Sequence, residues 1–122
     1  MSDRMLGSMV MEDSGSGEPV VMIHGLGGTS NNFEILLPAL QGHRVLRPDL
    51  PGAGRSAVLP GRPGLQGLAT AVLDQLQAAK VDRAHFVGHS MGTLLCQNIA
   101  VSSPERVASL TLFGAILEPP VA

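Results

Sequence analysis

The segment GHSMG, at residues 88–92, has residue types and a spacing that could present a nucleophile. It lies between an apolar run at 85–87 and a second apolar run that starts at 91. A serine on a tight turn from strand to helix is exposed and held in strained backbone angles, and small residues two before and two after it leave room for the turn. Such a hydroxyl can attack a carbonyl carbon and form an acyl-enzyme. Alone, G-x-S-x-G is a modest indication, because an ordinary strand-to-helix turn also explains it.

A second glycine-rich segment, GLGGTS at 25–30, suggests different chemistry. It follows an apolar run and is nearly the G-x-G-x-x-G/A of a dinucleotide-binding turn. Asp49 follows about 20 residues later, where an acid that binds ribose would lie. Ser30 replaces the third glycine, however, and the close helix packing required there would suffer. A dinucleotide-binding domain therefore stays open only as a weak alternative.

The order of the predicted elements indicates an α/β fold. Short apolar runs that end in glycine or turn residues predict buried strands, and apolar residues at steps of three and four predict helices. The predicted strands cover 19–25, 44–49, 84–88 and 107–117, with a possible short strand at 9–11, and the predicted helices cover 33–40, 65–80 and 91–101. Alternation of strands and helices predicts a mostly parallel sheet with helices on both faces.

Composition excludes several classes of function. The chain has 122 residues, 44% of them hydrophobic, and a net charge of −2, which is typical of one soluble globular domain. It has no basic stripe, so we expect no nucleic-acid partner. Cys96 is the single cysteine, which excludes an intramolecular disulfide and a cysteine-based metal cluster.

No segment predicts a membrane span or a secretory signal. The longest apolar stretch, at 110–117, is eight residues long, whereas about 20 are needed to cross a bilayer. The N-terminal residues 1–19 contain four acidic side chains and lack an uninterrupted apolar region. We therefore expect a cytoplasmic protein without a membrane partner.

Three segments in a fixed order resemble the α/β-hydrolase superfamily: HGLGG at 24–28, DLPGAGRS at 49–56 and GHSMG at 88–92. The sequence as a whole is most similar to the branch of cofactor-free esterases, enol-lactonases and C–C hydrolases. Serine at position 90 argues against membership of the haloalkane dehalogenase branch, whose members have aspartate at this position. The resemblance implies hydrolysis of carboxylic esters, lactones or related carbonyl compounds by acyl transfer to water, with no metal and no cofactor.

The resemblance also implies roles for individual residues. Ser90 would be the nucleophile, and the backbone N–H groups of Leu26 and Met91 would form the oxyanion hole. Phe33 stands where many relatives carry tryptophan and would line the pocket of a small-molecule substrate. Other residues would shape the elbow and the oxyanion loop: His24, Gly25, Gly88, His89 and Gly92.

The base and acid that complete such a site are missing after Ser90, where the family places them. No histidine or aspartate follows it, and the only carboxylates there are Glu105 and Glu118. We therefore expect residues 1–122 to be the N-terminal part of a single hydrolase domain that lacks the cap and the last strands. Its partner would be the remaining C-terminal part, in the same gene product or a second chain. Alone, this part should be nearly inactive, and a non-catalytic ligand receptor on the same fold remains an alternative.

Overall fold

The computed structural model describes residues 2–6, 9–25, 36–50 and 64–114. Two short 3-10 turns, at 36–40 and Pro104–Arg106, accompany the regular elements. The regular elements in chain order are β1 (Ser2–Leu6), β2 (Met9–Ser14), β3 (Glu18–Ile23), β4 (His43–Pro48), α1 (Gly64–Ala78), β5 (Ala84–His89), α2 (Met91–Ser102) and β6 (Val107–Phe113).

The described strands form one sheet in the order β1-β2-β4-β3-β5-β6. Strands β4, β3, β5 and β6 run parallel to one another, whereas β1 and β2 are antiparallel to their neighbours. This arrangement confirms the predicted α/β class with a mostly parallel sheet. Strand β1 was not predicted, because SDRML alternates polar and apolar residues too weakly to separate it from a loop.

Both faces of the sheet are covered, as the alternating pattern predicted. One face packs against α1 and α2 in a core that includes these buried side chains: Val21, Ile23, Leu46, Val72, Leu76, Phe86, Leu95 and Ile99. On the other face, Leu37 and Leu40 cover Val20, Met22 and Val45. Leu37 and Leu40 lie in the 3-10 turn at 36–40, where an α-helix over 33–40 was predicted. The first residues of that predicted helix are outside the described ranges.

Arg44 connects three elements away from the predicted site. Its Nε and Nη2 atoms donate to the two carboxylate oxygens of Asp13 at 2.9 and 2.7 Å. Nη2 also donates to the carbonyl of Ala79, just after α1, at 3.1 Å. The hydrogen bond to Asp13 raises the pKa of Arg44, although burial opposes this. The bidentate pair fixes the antiparallel strand β2 against β4 and the end of α1.

Candidate active site

Ser90 occupies the single residue between the end of β5 and the start of α2. Its backbone angles are φ 54° and ψ −120°. Within the part of the chain that the structure describes, Lys80 is the one other non-glycine residue with positive φ. Such angles cost of order 1–3 kcal/mol and persist only where the surroundings impose them. The turn that the sequence predicted at this point therefore has the strained geometry that raises a serine side chain above a sheet.

Hydrogen bonds from two elements hold the Ser90 backbone in place. Its N–H donates to the carbonyl of Phe113 at the end of β6, at 2.9 Å. Its carbonyl accepts from the N–H of Thr93 at 2.9 Å and from the Thr93 hydroxyl at 2.6 Å. The neighbouring strand and the first turn of α2 thus fix the position of Ser90.

Glycine is required around Ser90 because neighbouring backbone comes very close. A Cβ added at Gly92 would overlap the carbonyl oxygen of Ile23, and one at Gly88 would lie 2.9 Å from the carbonyl oxygen of Gly92. A Cβ added at Gly25 would lie 3.1 Å from the Cβ of Ser90. The turn is therefore seated directly on the carboxyl end of β3. This contact places Ser90 beside Gly25.

His24 fixes the start of that segment. It is 2% exposed, and its Nε2 accepts from the backbone N–H of Leu50 at 2.9 Å. Because Nε2 is the acceptor, the ring proton lies on Nδ1 and is donated to the carbonyl of Gly25 at 2.8 Å. The neutral ring thus joins the ends of β3 and β4. The role of His24 in shaping the loop after it stays a prediction.

The four histidines do not gather around Ser90. His43 is the first residue of β4 and His85 the second residue of β5. Since the carboxyl ends of parallel strands share one edge of a sheet, both lie at the edge opposite Ser90. His89 ends β5 with an exposed side chain and precedes Ser90 directly. Two histidines lie at the same edge as Ser90. The ring of His24 already hydrogen-bonds two backbone groups, and His89 is the residue directly before Ser90.

Two predicted site residues, Leu26 and Phe33, lie outside the described residues. Met91 is the first residue of α2, so its N–H is among the helix-start donors that have no acceptor within the helix. That N–H lies next to Ser90 in the chain and could face an oxyanion. Among the described positions, the structure therefore brings His24, Gly25 and the GHSMG segment together at one edge.

Two other side chains near this edge are buried. Cys96 is fully buried, and burial raises the pKa of its thiol to about 12. The thiol is therefore a packing group, as predicted. Asp49 is 1% exposed, which does not suit an acid that must reach the ribose of a dinucleotide at the surface.

Sequence reasoning missed several polar groups that pair across strands. Glu12 and Arg47 face each other in the register of β2 and β4, and both are buried. A second group joins Glu18, His85 and Ser109 at the amino edge of the sheet. No local motif marks either group, because their members are distant in sequence. Over the ranges described, no cluster of three or more His, Cys, Asp or Glu side chains could hold a metal ion.

The family model described as alpha/beta hydrolase fold matches residues 18–122. The chain belongs to the alpha/beta hydrolase family. The chain is 39% identical over 111 residues to the 2-hydroxy-6-oxo-6-phenylhexa-2,4-dienoate hydrolase of Burkholderia cepacia, with 85% of this chain and 38% of the relative covered. It is 43% identical over 100 residues to the dihydrolipoyllysine-residue acetyltransferase component of the acetoin cleaving system of Pseudomonas putida, with 81% and 27% covered.

A solved structure has a similar fold. A hydrolase from Pseudomonas aeruginosa PA01 superimposes with a TM-score of 0.82 at 34% identity, covering 91% of this chain and 44% of the other. The chain thus spans less than half the length of these relatives. No helix in the described ranges is long and apolar enough to cross a membrane.

Proposed function

We propose that this hydrolase cleaves carboxylic esters, lactones or related carbonyl substrates by acyl transfer to water, with Ser90 as the nucleophile. The observation that carries the proposal is the backbone of Ser90, at φ 54° between β5 and α2. Strained backbone is kept where function needs it. Here the strain lifts a hydroxyl at the carboxyl edge of a parallel sheet, where ligands of such folds bind.

In the proposed reaction, the Ser90 oxygen attacks the substrate carbonyl carbon and the carbonyl oxygen becomes an oxyanion. The N–H of Met91, at the start of α2, stabilises this charge together with the N–H of Leu26. The hydrogen bonds of His24 to Gly25 and Leu50 hold Gly25, the residue before Leu26 in the chain, in place. Loss of one oxyanion donor typically costs about 10²–10³ in rate.

The proton of Ser90 needs an acceptor, and we propose that it comes from polypeptide other than these 122 residues. His43 and His85 lie at the wrong edge, His24 is committed to backbone groups, and His89 is the immediate neighbour of Ser90. A histidine and its orienting carboxylate would then come from the remainder of the hydrolase, as a continuous or a second chain. The 122 residues alone would be nearly inactive.

The substrate class is a small carbonyl compound. Support comes from a relative whose name is that of a C–C hydrolase of a 2-hydroxy-6-oxo dienoate, and from the general hydrolase match. Ester, lactone and C–C bond cleavage all place a tetrahedral oxyanion beside the nucleophile. The same Ser90 geometry serves each of these reactions.

The experiment is labelling with a fluorophosphonate probe, followed by peptide mapping, on the complete protein that contains this chain. We expect an adduct on Ser90, and we expect Ser90→Ala to lose both the adduct and the hydrolysis of a p-nitrophenyl ester. The control is Ser102→Ala, which removes an exposed serine that donates to Asn98 in α2. Absence of an adduct on Ser90 would contradict the nucleophile assignment. If ligand binding then persisted, a receptor function would replace it.

A further inference from the structure

Glu18, His85 and Ser109 form a line of polar groups at the amino edge of the sheet. They come from β3, β5 and β6, three adjacent strands. His85 Nδ1 lies 2.7 Å from the hydroxyl of Ser109, and His85 Nε2 lies 3.2 Å from a carboxylate oxygen of Glu18. Strand register places Ser109 directly opposite His85. The line is thus an acid, an imidazole and a hydroxyl in contact.

The carboxylate decides the tautomer of His85. A carboxylate oxygen only accepts hydrogen bonds, so Nε2 must carry the proton that points at Glu18. In the neutral ring, Nδ1 is then an acceptor, and the Ser109 hydroxyl donates to it. These are the roles of acid, base and nucleophile in a serine hydrolase, with the two ring nitrogens exchanged.

Among the residues that the structure describes, the group is exposed to solvent and lies apart from Ser90. Ser109 is exposed, and the side chain of Glu18 is 68% exposed. His85 is the second residue of β5 and Ser90 follows the end of that strand, so the two places lie about 17 Å apart at the rise of an extended chain. The hydroxyls of Ser109 and Ser90 can therefore be modified and measured separately.

We propose that Ser109 is a second acyl-accepting hydroxyl, with His85 as its base and Glu18 as the positioning residue, and that it reacts with small activated carboxylic esters. The Ser109 oxygen forms a bond to the ester carbonyl carbon while its proton passes to His85 Nδ1. The bond from that carbon to the leaving oxygen breaks, and the leaving alkoxide or phenolate departs with the electron pair. The proton on His85 then passes to solvent. The products are acylated Ser109 and a neutral His85.

The backbone sets the expected reactivity. Ser109 lies within β6, and it is not among the positive-φ residues of the described chain. It has neither a strained turn nor the start of a helix beside it, so the oxyanion lacks the stabilisation available next to Ser90. Acylation should therefore be slower than at Ser90 and limited to esters with good leaving groups. Acyl-Ser109 should accumulate, since its hydrolysis needs the same missing stabilisation.

The experiment uses the complete protein with Ser90→Ala, so that its result does not depend on the proposed function. The protein is treated with p-nitrophenyl acetate, and acetylated serines are located and timed by peptide mass spectrometry. We expect Ser109 to be acetylated at least about 10²-fold faster than Ser102, which is exposed but hydrogen-bonded to a helix carbonyl. Equal acetylation rates at the two serines would overturn the proposal, and Glu18, His85 and Ser109 would then have a structural role only.

Two variants test the partners of Ser109. His85→Gln keeps a hydrogen-bonding side chain but removes the base, and it should slow Ser109 acetylation about 10²-fold. Glu18→Gln should slow it about threefold, as expected for an exposed pair, and ¹⁵N NMR should show His85 shifting from the Nε2–H tautomer to a mixture. Thermal unfolding of each variant identifies loss of fold. A folded His85→Gln protein with an unchanged rate, or His85 without the Nε2–H preference, would overturn the proposal.

Discussion

Ser90 combines an unfavourable backbone with a chemically useful side chain. Its φ of 54° costs free energy in any residue that carries a Cβ. The hydrogen bonds to Phe113 and Thr93 stabilise the strained geometry. A residue selected for stability alone at this position would be glycine. The presence of serine therefore points to a use for the hydroxyl.

We predict that Ser90→Gly stabilises the protein by about 1 kcal/mol. The substitution relieves about 1–3 kcal/mol of backbone strain, but glycine loses more conformational entropy on folding, which offsets part of this gain. Ser90→Ala is the matched control, since it also removes the hydroxyl but keeps the Cβ. It should change stability by less than about 0.5 kcal/mol. Urea denaturation measures both. Equal stability of the two variants would mean that the backbone at Ser90 is not strained.

Helix α2 is positioned by the close contact of its first two turns with β3 and β5. Gly92 lies against the carbonyls of Ile23 and His24, and the Sγ of Cys96 lies 3.0 Å from the point where Gly88 would carry a Cβ. Burial of Cys96 removes the thiol from water and raises its pKa from 9.0 to about 12. The titration of Cys96 therefore reports whether α2 is seated on the sheet.

We predict that Cys96 makes stability depend on pH above 9. The folded pKa is raised, so the contribution of Cys96 is complete below pH 9.0, where the thiol is protonated in both states. As pH rises towards about 12, the unfolded thiol ionises while the folded one stays neutral, and the free energy of unfolding falls by up to about 1.4 kcal/mol per pH unit. Between pH 9 and 11 the wild-type protein should lose about 2 kcal/mol more than Cys96→Ala.

Urea denaturation across this pH range measures the effect, and the slopes of the two proteins are compared because Cys96→Ala also changes packing. Parallel pH profiles would show that the thiol ionises equally in the folded and unfolded protein. Alkylation gives an independent measure, since a seated α2 protects Cys96 from iodoacetamide at neutral pH.

Elements with a strong apolar pattern could be predicted from the sequence, and those with mixed patterns could not. The predicted helices at 65–80 and 91–101 agree with α1 and α2 to within two residues at each end. Strand β1 escaped prediction because β2 is its one partner among the described strands, and an outer strand needs no continuous apolar face. The 3-10 turn at 36–40 replaces the predicted α-helix there, and Pro38 lacks the N–H that helical hydrogen bonding requires.

The surroundings of Ser90 were predictable because their residues form short motifs with fixed backbone needs. GHSMG requires glycines at both ends, and the approach of Gly92 to the end of β3 gives the physical reason. The hydrogen bond from Leu50 to His24 could not be predicted, because it joins two loops through the fold. The line of Glu18, His85 and Ser109 was missed for the same reason: strand order and register bring its members together.

Strand β6 is one of the two outer strands of the described sheet, and β1 is the other. Most side chains of β6 are exposed, including Leu110 at 37% and Phe113 at 46%. Folded proteins usually cover, pair or charge such an edge, because its free backbone groups can join another strand. If another strand of the complete protein pairs with the backbone of β6, the 122-residue polypeptide made alone should associate through this strand.

We predict that the isolated 122-residue polypeptide forms oligomers at micromolar concentration and that Thr111→Lys shifts it towards monomer. Thr111 is exposed in the middle of β6, where a lysine adds charge to the pairing edge. Thr70→Lys adds the same charge on the exposed surface of α1 and should leave association unchanged. Sedimentation velocity measures the distribution of each. Both substitutions change the net charge equally, but only Thr111→Lys changes the sheet edge. A monomeric wild-type polypeptide, or equal effects of the two lysines on association, would therefore show that β6 does not drive association.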